Sequence, residues 1–380
     1  MTIGLIGHYL GARMGIGSFI DRLLPPLVAQ LENQGISAKI ITSPNALDKT
    51  PAIQTLQQRS PEKVSVLPQL DYSPIKRFAW VATQFSSYCQ QNDLDQIMWL
   101  SNPMVLPWHP PSIAVLHDVN EWKAKEKYGS QIKTTLRAWM YIEASIIWAK
   151  KIITVSKATT ADLLHFKPQL ALRQKVRTIP NGLDSPLSSL KPADIEVPTA
   201  PFLLSVGRID PEGKKLPEAI ALTQALRTLS GNPWEIHIMG GTNKSTQQAG
   251  DAFLQNIQSL PWARYHGFTE DAELAAWYKA ATATVFLSQN EGFGSPVAEA
   301  ASFGKRVVVN ANSQATQGAG GSAVIPVHPG TEADKASAAA AEVLKQLESA
   351  GQQDIKSDDV YTYADAAIAY AEEIAQLAAR

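Results

Sequence analysis

The segment from Ala283 to Val309 constrains the fold more than any other part of the chain. An apolar run from Ala283 to Leu287 predicts a buried strand, and a polar turn that contains two glycines follows it. Ser295 and Pro296 then predict a helix that ends near Gly304, with the serine as N-cap and the proline in the first turn. Because free N–H groups and the helix dipole point at the turn, this strand–loop–helix unit favours an anionic ligand.

Two glutamates flank the turn, and each allows two interpretations. Glu291 lies in the predicted loop, and Glu299 lies eight positions later, in what we predict to be the first helical turn. In that turn, Glu299 either stabilises the helix dipole or binds a ligand. Glu291 is either a solvated loop acid or part of a site. The residues alone leave both pairs of alternatives open.

The segment resembles the E-x7-E segment of retaining glycosyltransferases with the GT-B fold, and it is most similar to that of glycosyltransferase family 4. The sequence EGFG and a proline between the two acids carry the resemblance. It implies that Glu291 lies by the donor sugar as a catalytic residue, and that Glu299 holds the ribose hydroxyls of the donor. It also implies further donor-binding residues in the loop and at the helix start: Gly292, Phe293, Gly294 and Ser295.

The length and composition of the chain indicate two domains and give no reason to expect several classes of partner. The chain has 380 residues, of which 45% are hydrophobic, enough for two large cores. Its net charge of −1 gives no reason to expect nucleic acid as a partner. The single cysteine, Cys89, excludes an internal disulfide and favours a reducing compartment. Because the opening MTIGLIG lacks a basic region and no apolar run approaches about 20 residues, we expect a cytoplasmic protein, at most peripheral at the inner face of a membrane.

The opening of the chain, from Thr2 to Gln34, has the pattern of a Rossmann-like strand, glycine-rich turn and helix. Gly15 and Gly17 are followed by Ile20, where a dinucleotide fingerprint requires a third glycine, and this argues against a nicotinamide oxidoreductase. A plain tight turn is the alternative interpretation. The turn is similar to the opening loop of family 4, which implies that Gly15 and Gly17 bind the donor diphosphate, with Arg13 as a further candidate.

The first domain is predicted to alternate strands and helices around a parallel sheet. Strands are expected at residues 2–7, 37–42, 64–67, 96–100, 112–116, 152–156 and 175–179, and helices at 18–34 and 157–166. His117 follows a strand at its carboxyl end, where open α/β sheets bind ligands, although a lone histidine is more often structural. His117 and Asp118 resemble the H-D pair of family 4, which implies that His117 is a catalytic residue near the donor sugar and the acceptor.

The second domain is predicted to begin with a strand at 201–206 and a basic loop. Further strands are expected at 234–239, 264–266, 283–287, 307–309 and 322–327, and helices at 247–259, 270–281, 295–304 and 332–350. An arginine and a lysine in such a loop suit phosphates, although a solvated turn is the alternative. The loop resembles the G-R-x5-K pattern of family 4, which implies that Arg208 and Lys214 bind the donor diphosphate, with adjacent Lys215 as the alternative lysine. Phe268 lies in a loop that, by the same resemblance, packs on the nucleotide base.

A D-x-D sequence raises the question of a metal. Asp93 and Asp95 match the metal-binding pattern of another glycosyltransferase fold. They lie just before a predicted strand, where acids are common for structural reasons, so we expect no metal there. The resemblance to family 4 likewise implies no metal and no cofactor.

A helical region from Asn120 to Lys151 combines tryptophans with an excess of basic residues. These are Lys123, Lys125, Lys127, Lys133, Arg137, Lys150 and Lys151. A basic, aromatic face of this kind favours attachment to an anionic membrane surface. A buried aromatic seam with a solvated basic rim gives the same pattern, and the sequence leaves both open.

The domain junction is predicted from turn and linker composition. P-N-G at 180–182 predicts a turn and resembles the segment at the junction of the two family 4 domains. The proline-rich stretch at 185–200 predicts a linker. We therefore expect an α/β protein of the GT-B fold with two Rossmann-like domains facing across a cleft. The acceptor-side domain is 1–184, the nucleotide-sugar domain is 201–357, and a C-terminal helix at 358–380 returns to the first domain.

The function implied by the resemblance is transfer of a sugar, with retention, from a nucleotide-diphosphate sugar to a hydroxyl acceptor. The acceptor is either lipid-linked or a growing glycan, in the synthesis of a polysaccharide, a glycolipid or another glycoconjugate. A GT-B epimerase or phosphorylase and a non-catalytic nucleotide-sugar-binding protein are the alternatives.

Overall fold

The computed structural model describes residues 1–10, 15–123, 130–242, 246–350 and 361–378, and the chain forms two compact units. Unit 1 comprises Met1–Gly182 together with Tyr361–Arg380, and unit 2 comprises Leu183–Val360. Each unit is built around one parallel β-sheet with helices against it. The prediction of two Rossmann-like α/β domains is therefore confirmed.

Unit 1 has a seven-stranded parallel sheet in the order β3-β2-β1-β4-β5-β6-β7. The strands are β1 (Thr2–Ile6), β2 (Ser37–Thr42), β3 (Val64–Val66), β4 (Gln96–Trp99), β5 (Ser112–Leu116), β6 (Lys151–Thr154) and β7 (Val176–Thr178). The helices are α1 (Ile16–Asn33), α2 (Pro44–Leu47), α3 (Pro51–Arg59), α4 (Pro74–Thr83), α5 (Phe85–Gln91), α6 (Asn120–Lys123), α7 (Gln131–Ala138), α8 (Ala144–Trp148) and α9 (Lys157–Phe166). A π-helical turn, Trp139–Glu143, joins α7 to α8.

Unit 2 has a six-stranded parallel sheet in the order β10-β9-β8-β11-β12-β13. The strands are β8 (Phe202–Val206), β9 (Glu235–Met239), β10 (Ala263–Tyr265), β11 (Ala283–Phe286), β12 (Val307–Asn310) and β13 (Val324–Val327). The helices are α10 (Pro186–Ser189), α11 (Leu216–Ser230), α12 (Gln247–Ile257), α13 (Asp271–Ala280), α14 (Ser295–Ser302), α15 (Gln314–Gly320) and α16 (Ala333–Ala350). The last helix of the chain, α17 (Tyr363–Ala378), belongs to unit 1.

The strand order sets where ligands can bind in each unit. The first strand of each sheet is internal: β1 lies between β2 and β4, and β8 lies between β9 and β11. The order therefore reverses beside β1 and beside β8. At such a switch point the loops after neighbouring strands diverge and leave a crevice at the carboxyl edge of the sheet. Two such edges, one in each unit, are the expected positions of functional side chains.

The core of unit 1 is closed by α1 and by the C-terminal helix α17, which packs on α1. The apolar residues of α1 recur at helical spacing, so one face is buried. These residues are Phe19, Ile20, Leu23, Leu24, Leu27 and Leu31. The buried carboxylate of Glu373 in α17 pairs with Lys151 at 3.1 Å and with Arg177 at 3.6 Å. Because a buried carboxylate is tolerated only beside cations, these pairs hold α17 against β6 and β7.

The strands predicted from the sequence are all present in the described part of the chain, within two residues of their expected bounds. The helices differ more. The helical pattern at 120–151 is divided among α6, α7, a π-helical turn and α8, and β6 already begins at Lys151. The stretch at 185–200, which the sequence predicts to be a linker, has local structure of its own. It contains α10, capped by Ser185 Oγ, and Ala193 N donates to Ala272 O at 2.9 Å, so it packs within unit 2. The sequence analysis did not predict α11.

None of the helices in the described ranges combines the length and the apolar character needed to cross a bilayer.

Burial lowers the pKa of several histidines, and this makes stability depend on pH. The affected residues are His8, His109, His117, His237 and His266. In His109 burial lowers the pKa from 6.5 to about 4, although a hydrogen bond to the carbonyl oxygen of Val81 at 3.2 Å opposes the shift. The imidazole of His109 is therefore neutral in the folded protein over most of the acidic range.

We expect the free energy of unfolding to fall as the pH falls from 6.5 to about 4. In the unfolded chain His109 takes up its proton near its ordinary pKa of 6.5, whereas in the folded chain it does so only near 4. Between these two pH values the unfolded state binds more protons, so lowering the pH favours unfolding. For His109 the full effect is about 3 kcal/mol. Urea denaturation at neutral pH and near the lower value measures the loss. The glutamine in His109→Gln cannot titrate, so this variant should lose less stability than the wild type between the two pH values, and the difference should be most of the effect of about 3 kcal/mol. An equal loss of stability in both proteins would contradict this prediction.

Candidate functional site

The carboxyl edge of the unit 2 sheet is shaped by glycines that follow β8, β9 and β10. The amide of Gly207 donates to the carbonyl oxygen of Met239 at 2.9 Å, and the amide of Gly240 donates to that of Gly267 at 2.7 Å. Gly240 has φ +134°, and a Cβ atom on it would lie 1.8 Å from the carbonyl oxygen of Gly207. Only glycine fits there, and the three loops therefore meet backbone to backbone.

Arg208 lies in the loop after β8, and its guanidinium keeps a free donor. Its Nη2 pairs with Asp210 Oδ2 at 3.1 Å, whereas its buried Nε has no hydrogen-bond partner in the part of the chain that the structure describes. Asp210 Oδ1 in turn accepts from the amide of Gly213 at 3.1 Å, which fixes the turn. Because Asp210 orients the arginine without occupying all its donors, Arg208 can still bind an oxyanion.

Lys214 contacts Glu291, so two predicted site residues from distant segments meet. Lys214 Nζ lies 2.5 Å from Glu291 Oε1, and each side chain is 19% exposed. The same Nζ lies 4.8 Å from the centroid of the Phe286 ring. Gly207, Arg208, Lys214 and Phe286 line one pocket at this edge. The pocket therefore joins the loop after β8 to the end of β11.

Lys215 occupies a different place from its neighbour. Its backbone is left-handed, with φ +55°, and it forms the N-cap of α11. Its Nζ pairs with Glu218 Oε1 on that helix at 3.2 Å. Of the two adjacent lysines, Lys214 is therefore the one whose ammonium lies in the pocket with Arg208.

The start of α14 differs from the sequence prediction. The N-cap is Gly294, in the left-handed conformation with φ +101°, and Ser295 is the first helical residue. Glycine takes this position because it adopts a positive φ without strain, and a Cβ there would lie 3.2 Å from the Thr316 side chain. The prediction that Ser295 is the N-cap is therefore wrong, whereas the first-turn position of Pro296 is confirmed.

Glu299 lies in the second turn of α14, so its predicted place in the first turn is also wrong. The helix dipole acts mainly on the first turn, and this weakens the purely electrostatic interpretation of Glu299. Its Oε2 accepts from the hydroxyl of Tyr278 at 3.4 Å, and the Tyr278 ring stacks on Phe303. Glu299 is half-buried, on the helix that starts at the glycine loop. Tyr278 was not identified from the sequence.

The two phenylalanines assigned to the donor have opposite surroundings. Phe293 is buried beside the start of α14. Phe268, in the loop after β10, has 55% of its surface exposed.

In unit 1, His117 follows β5 at the carboxyl edge. Its Nε2 donates to the carbonyl oxygen of Leu100 at 2.8 Å, and burial lowers its pKa. Since a carbonyl only accepts, the proton is on Nε2 and Nδ1 carries the free lone pair. The ring meets Phe19 edge-on, with centroids 4.8 Å apart. His117 is thus a neutral acceptor, suited to a hydroxyl group. Asp118 accepts from Asn120 N at 2.9 Å.

The glycine turn of unit 1 is only partly described. Gly15 is the N-cap of α1, with φ +61°, and Gly17 is buried in the first turn of that helix. Arg13 lies outside the described residues.

The D-x-D aspartates lie at the opposite edge of the unit 1 sheet. Asp95 immediately precedes β4, and its Oδ2 accepts from the amide of Thr2 at 2.7 Å. Asp93 occupies a turn with φ +50°. Both therefore lie at the amino ends of strands, away from the edge that carries His117. Within the described ranges, no group of three or more His, Cys, Asp or Glu side chains is arranged to hold a metal ion.

Two parallel Rossmann-like sheets with these carboxyl-edge loops define the GT-B class of proteins. Two family models refine this class. The model described as Glycosyl transferases group 1 matches residues 190–367, and that described as Glycosyltransferase Family 4 matches residues 26–185. The chain belongs to the group 1, family 4 type of glycosyltransferases.

Solved structures share the fold over the whole chain. A sucrose-phosphate synthase from Thermosynechococcus elongatus aligns over 100% of this chain and 99% of its own, with 18% identity and a TM-score of 0.69. HepE from Anabaena, solved in complex with UDP-glucose, aligns over 100% and 98%, with 17% identity and a TM-score of 0.65. WaaG, a glycosyltransferase involved in lipopolysaccharide biosynthesis, aligns over 97% and 95%, with 15% identity and a TM-score of 0.60. No curated protein sequence matches the chain significantly.

Proposed function

We propose that this glycosyltransferase moves a sugar, with retention, from a nucleotide-diphosphate sugar to a hydroxyl acceptor, in the synthesis of a polysaccharide, glycolipid or other glycoconjugate. The observation that carries the proposal is the contact between Lys214 and Glu291 beside Arg208, in one pocket of unit 2. It combines two cations suited to a diphosphate with a carboxylate suited to a sugar. The UDP-glucose bound by HepE supports a nucleotide sugar as donor.

The proposed chemistry uses loop residues of unit 2 and one histidine of unit 1. When the bond between the anomeric carbon and the diphosphate breaks, charge develops on the diphosphate, and Arg208 and Lys214 are placed to stabilise it. A new bond forms from the acceptor oxygen to the same face of the sugar. The family resemblance implies that an oxygen of the departing diphosphate takes the acceptor proton, so no separate base is required. His117 of unit 1, with its free Nδ1 lone pair, accepts a hydrogen bond from a sugar hydroxyl.

The proposal is tested by product analysis with a panel of nucleotide sugars and hydroxyl acceptors. We expect release of nucleoside diphosphate that depends on the acceptor, and proton NMR should show the donor's anomeric configuration in the product. An inverted product would refute retention. Donor isomerisation without transfer would indicate an epimerase, transfer to inorganic phosphate a phosphorylase, and tight donor binding without turnover on any acceptor a binding protein.

We further infer that unit 1 contacts a membrane, which suits a lipid-linked acceptor. Apolar side chains are exposed along α7 and the helical turns after it: Ile132, Leu136, Trp139 and Ile147. The first three recur at spacings of four and three, so they share one helix face. An exposed apolar stripe of this kind marks contact with another surface, and tryptophan suits the membrane interface.

Ion pairs change the chemistry of this contact from the one expected from the sequence. Three of the basic residues are paired, as Lys123–Asp162, Arg137–Glu121 and Lys151–Glu373. Lys125 and Lys127 lie outside the described residues. Paired cations offer less charge to anionic lipids, so we assign the main contribution to the apolar stripe.

We expect the protein to sediment with lipid vesicles and to remain bound when salt is raised, because apolar insertion is not screened. Replacing both Ile132 and Trp139 with serine should weaken binding by about tenfold or more, since each loses buried apolar area. Leu172→Ser is the matched control, because Leu172 is also an exposed apolar residue of unit 1 but lies elsewhere. Absence of vesicle binding at any salt concentration would remove the membrane contact, and release at high salt would restore the electrostatic interpretation.

A further inference from the structure

Unit 1 contains a buried arginine that the proposed chemistry does not use. Arg77 in α4 is 7% exposed. Its Nη1 lies 2.6 Å from His8 Nε2, its Nη2 donates to the carbonyl oxygen of Tyr72 at 3.1 Å, and its buried Nε has no hydrogen-bond partner. Its polar contacts in the described part of the chain are thus a ring nitrogen and a carbonyl, both uncharged. Buried arginines normally pair with a carboxylate, because an unpaired charge is costly away from water.

The contact with His8 leaves a second donor unsatisfied. Arginine only donates, so His8 Nε2 must accept, and the proton of the neutral ring is on Nδ1. His8 is also 7% exposed, and its buried Nδ1 has no hydrogen-bond partner among the described residues. Burial and the charge of Arg77 both lower the pKa of His8, so the ring stays neutral. The pair therefore carries one positive charge and two unsatisfied donors. A hydrogen-bond acceptor beside either side chain would remove the cost of an unsatisfied buried donor.

The pair lies at the edge of the sheet where ligands are expected. His8 follows β1 by two residues, at the carboxyl edge and at the switch point of the strand order. The next residue, Tyr9, accepts through its hydroxyl from Asn102 Nδ2 after β4, at 3.0 Å. His117 follows β5 at the same edge. His8, which contacts Arg77 from α4, thus belongs to the row of strand ends that includes the predicted acceptor-side histidine.

We propose that Arg77, oriented by His8, binds an oxyanion of the acceptor, either a phosphate or a carboxylate. Nε and Nη2 form one edge of the guanidinium, and two parallel donors of this kind match two oxygens of either anion. Of these two donors, Nε has no partner among the described residues. Nη2 donates only to the neutral carbonyl of Tyr72, at the end of the turn Pro68–Asp71. An anion replaces that carbonyl because it is the stronger acceptor. The anion site rests on this geometry alone, whereas its assignment to the acceptor rests on the proposed function.

Calorimetry on the full-length protein tests the site, with inorganic phosphate and acetate as separate probes. A saturating nucleoside diphosphate is included so that the basic loop of unit 2 is already occupied. We expect one anion to bind per chain, and Arg77→Gln to weaken it by at least tenfold. Arg59→Gln, at an exposed arginine of the same unit, should bind like the wild type. The probe that binds more tightly identifies phosphate or carboxylate as the group recognised.

A second variant keeps the test valid if Arg77→Gln does not fold. Arg77→Lys retains the charge but not the two-pronged edge, and we expect it to fold and to bind at least fivefold more weakly. Binding unchanged in these variants, or no binding of either probe to the wild type, would overturn the proposal.

The acceptor assignment has its own measurement. Among paired acceptors with and without the charged group, the wild type should prefer the charged one by at least tenfold in kcat/KM, and Arg77→Gln should lose this preference. Equal preference in both proteins would overturn the assignment. Anion binding through Arg77 without any sugar transfer would refute the proposed function and leave the site. Sugar transfer without anion binding would refute the anion site and leave the proposed function.

Discussion

Replacing Arg208 or Lys214 with alanine is expected to lower kcat by about 10² to 10³, as removal of one preorganised donor does at comparable sites. The departing diphosphate gains charge in the transition state, and both cations lie in one pocket where they need no rearrangement to receive it. We propose that these fixed charges take the place of a divalent metal, so the wild-type enzyme is expected to need none.

Steady-state rates in excess EDTA, measured beside the two variants, test this expectation. Lys215→Ala is the matched control, because Lys215 neighbours Lys214 in sequence but pairs with Glu218 on α11. It should keep near-normal activity. Loss of wild-type activity in EDTA, restored by magnesium or manganese, would contradict metal independence and direct attention to Asp93 and Asp95.

Replacing Glu291 with alanine is expected to lower turnover more than donor affinity, whereas Glu299→Ala should do the opposite. Glu291 holds the ammonium of Lys214 at 2.5 Å, so its loss frees the lysine and also removes the carboxylate that we propose lies beside the sugar. An interaction that strengthens as charge develops acts on kcat. Glu299 is the proposed acceptor for the ribose hydroxyls, and in that role its removal should cost about 1.5–3 kcal/mol of donor binding.

Calorimetry with the donor and steady-state rates separate the two effects. Glu273→Ala, at an exposed acid of α13, controls for the loss of a negative charge in unit 2. The Glu291→Ala, Lys214→Ala double variant should be less impaired than the product of the single effects, because the two side chains act through one contact. Donor affinity unchanged in Glu299→Ala would remove the ribose assignment, and additive effects in the double variant would show that Glu291 and Lys214 act independently.

The strands could be predicted from the sequence because of the burial of parallel sheets. Strands covered on both faces are short continuous apolar runs, such as FLLSV in β8 and VVVN in β12, and glycine or polar turns mark their ends. The start of helix α11 has no comparable signal in the sequence. Its N-cap is Lys215 in a left-handed conformation, in place of the serine, threonine or aspartate that signals a helix start. The division of the region at 120–151 depends on packing that a periodicity of apolar residues does not contain.

The site residues could be named from the sequence because each lies in a motif whose loop and neighbouring strand are contiguous in the chain. The structure brings Lys214 and Glu291 together, a contact between positions 77 apart. It also corrects the roles of Ser295 and of the turn that holds Glu299, because a left-handed glycine moves the helix start by one residue. His8 and Arg77 are 69 positions apart, and no motif joins them. Only the three-dimensional structure shows that, in the described ranges, this arginine contacts a histidine and a carbonyl and pairs with no acid.

The position of α17 has a consequence for biosynthesis. A ribosome completes residues 1–182 early, yet unit 1 also contains residues 361–380. Until those last residues emerge, Lys151 and Arg177 have no Glu373, and the apolar face of α1 that α17 covers stays open. Unit 2 lies between these two parts and is synthesised in one piece, so it can fold during translation. Unit 1 is therefore the first part of the enzyme to be synthesised and the last to complete its fold. A premature stop near the C-terminus damages the N-terminal domain.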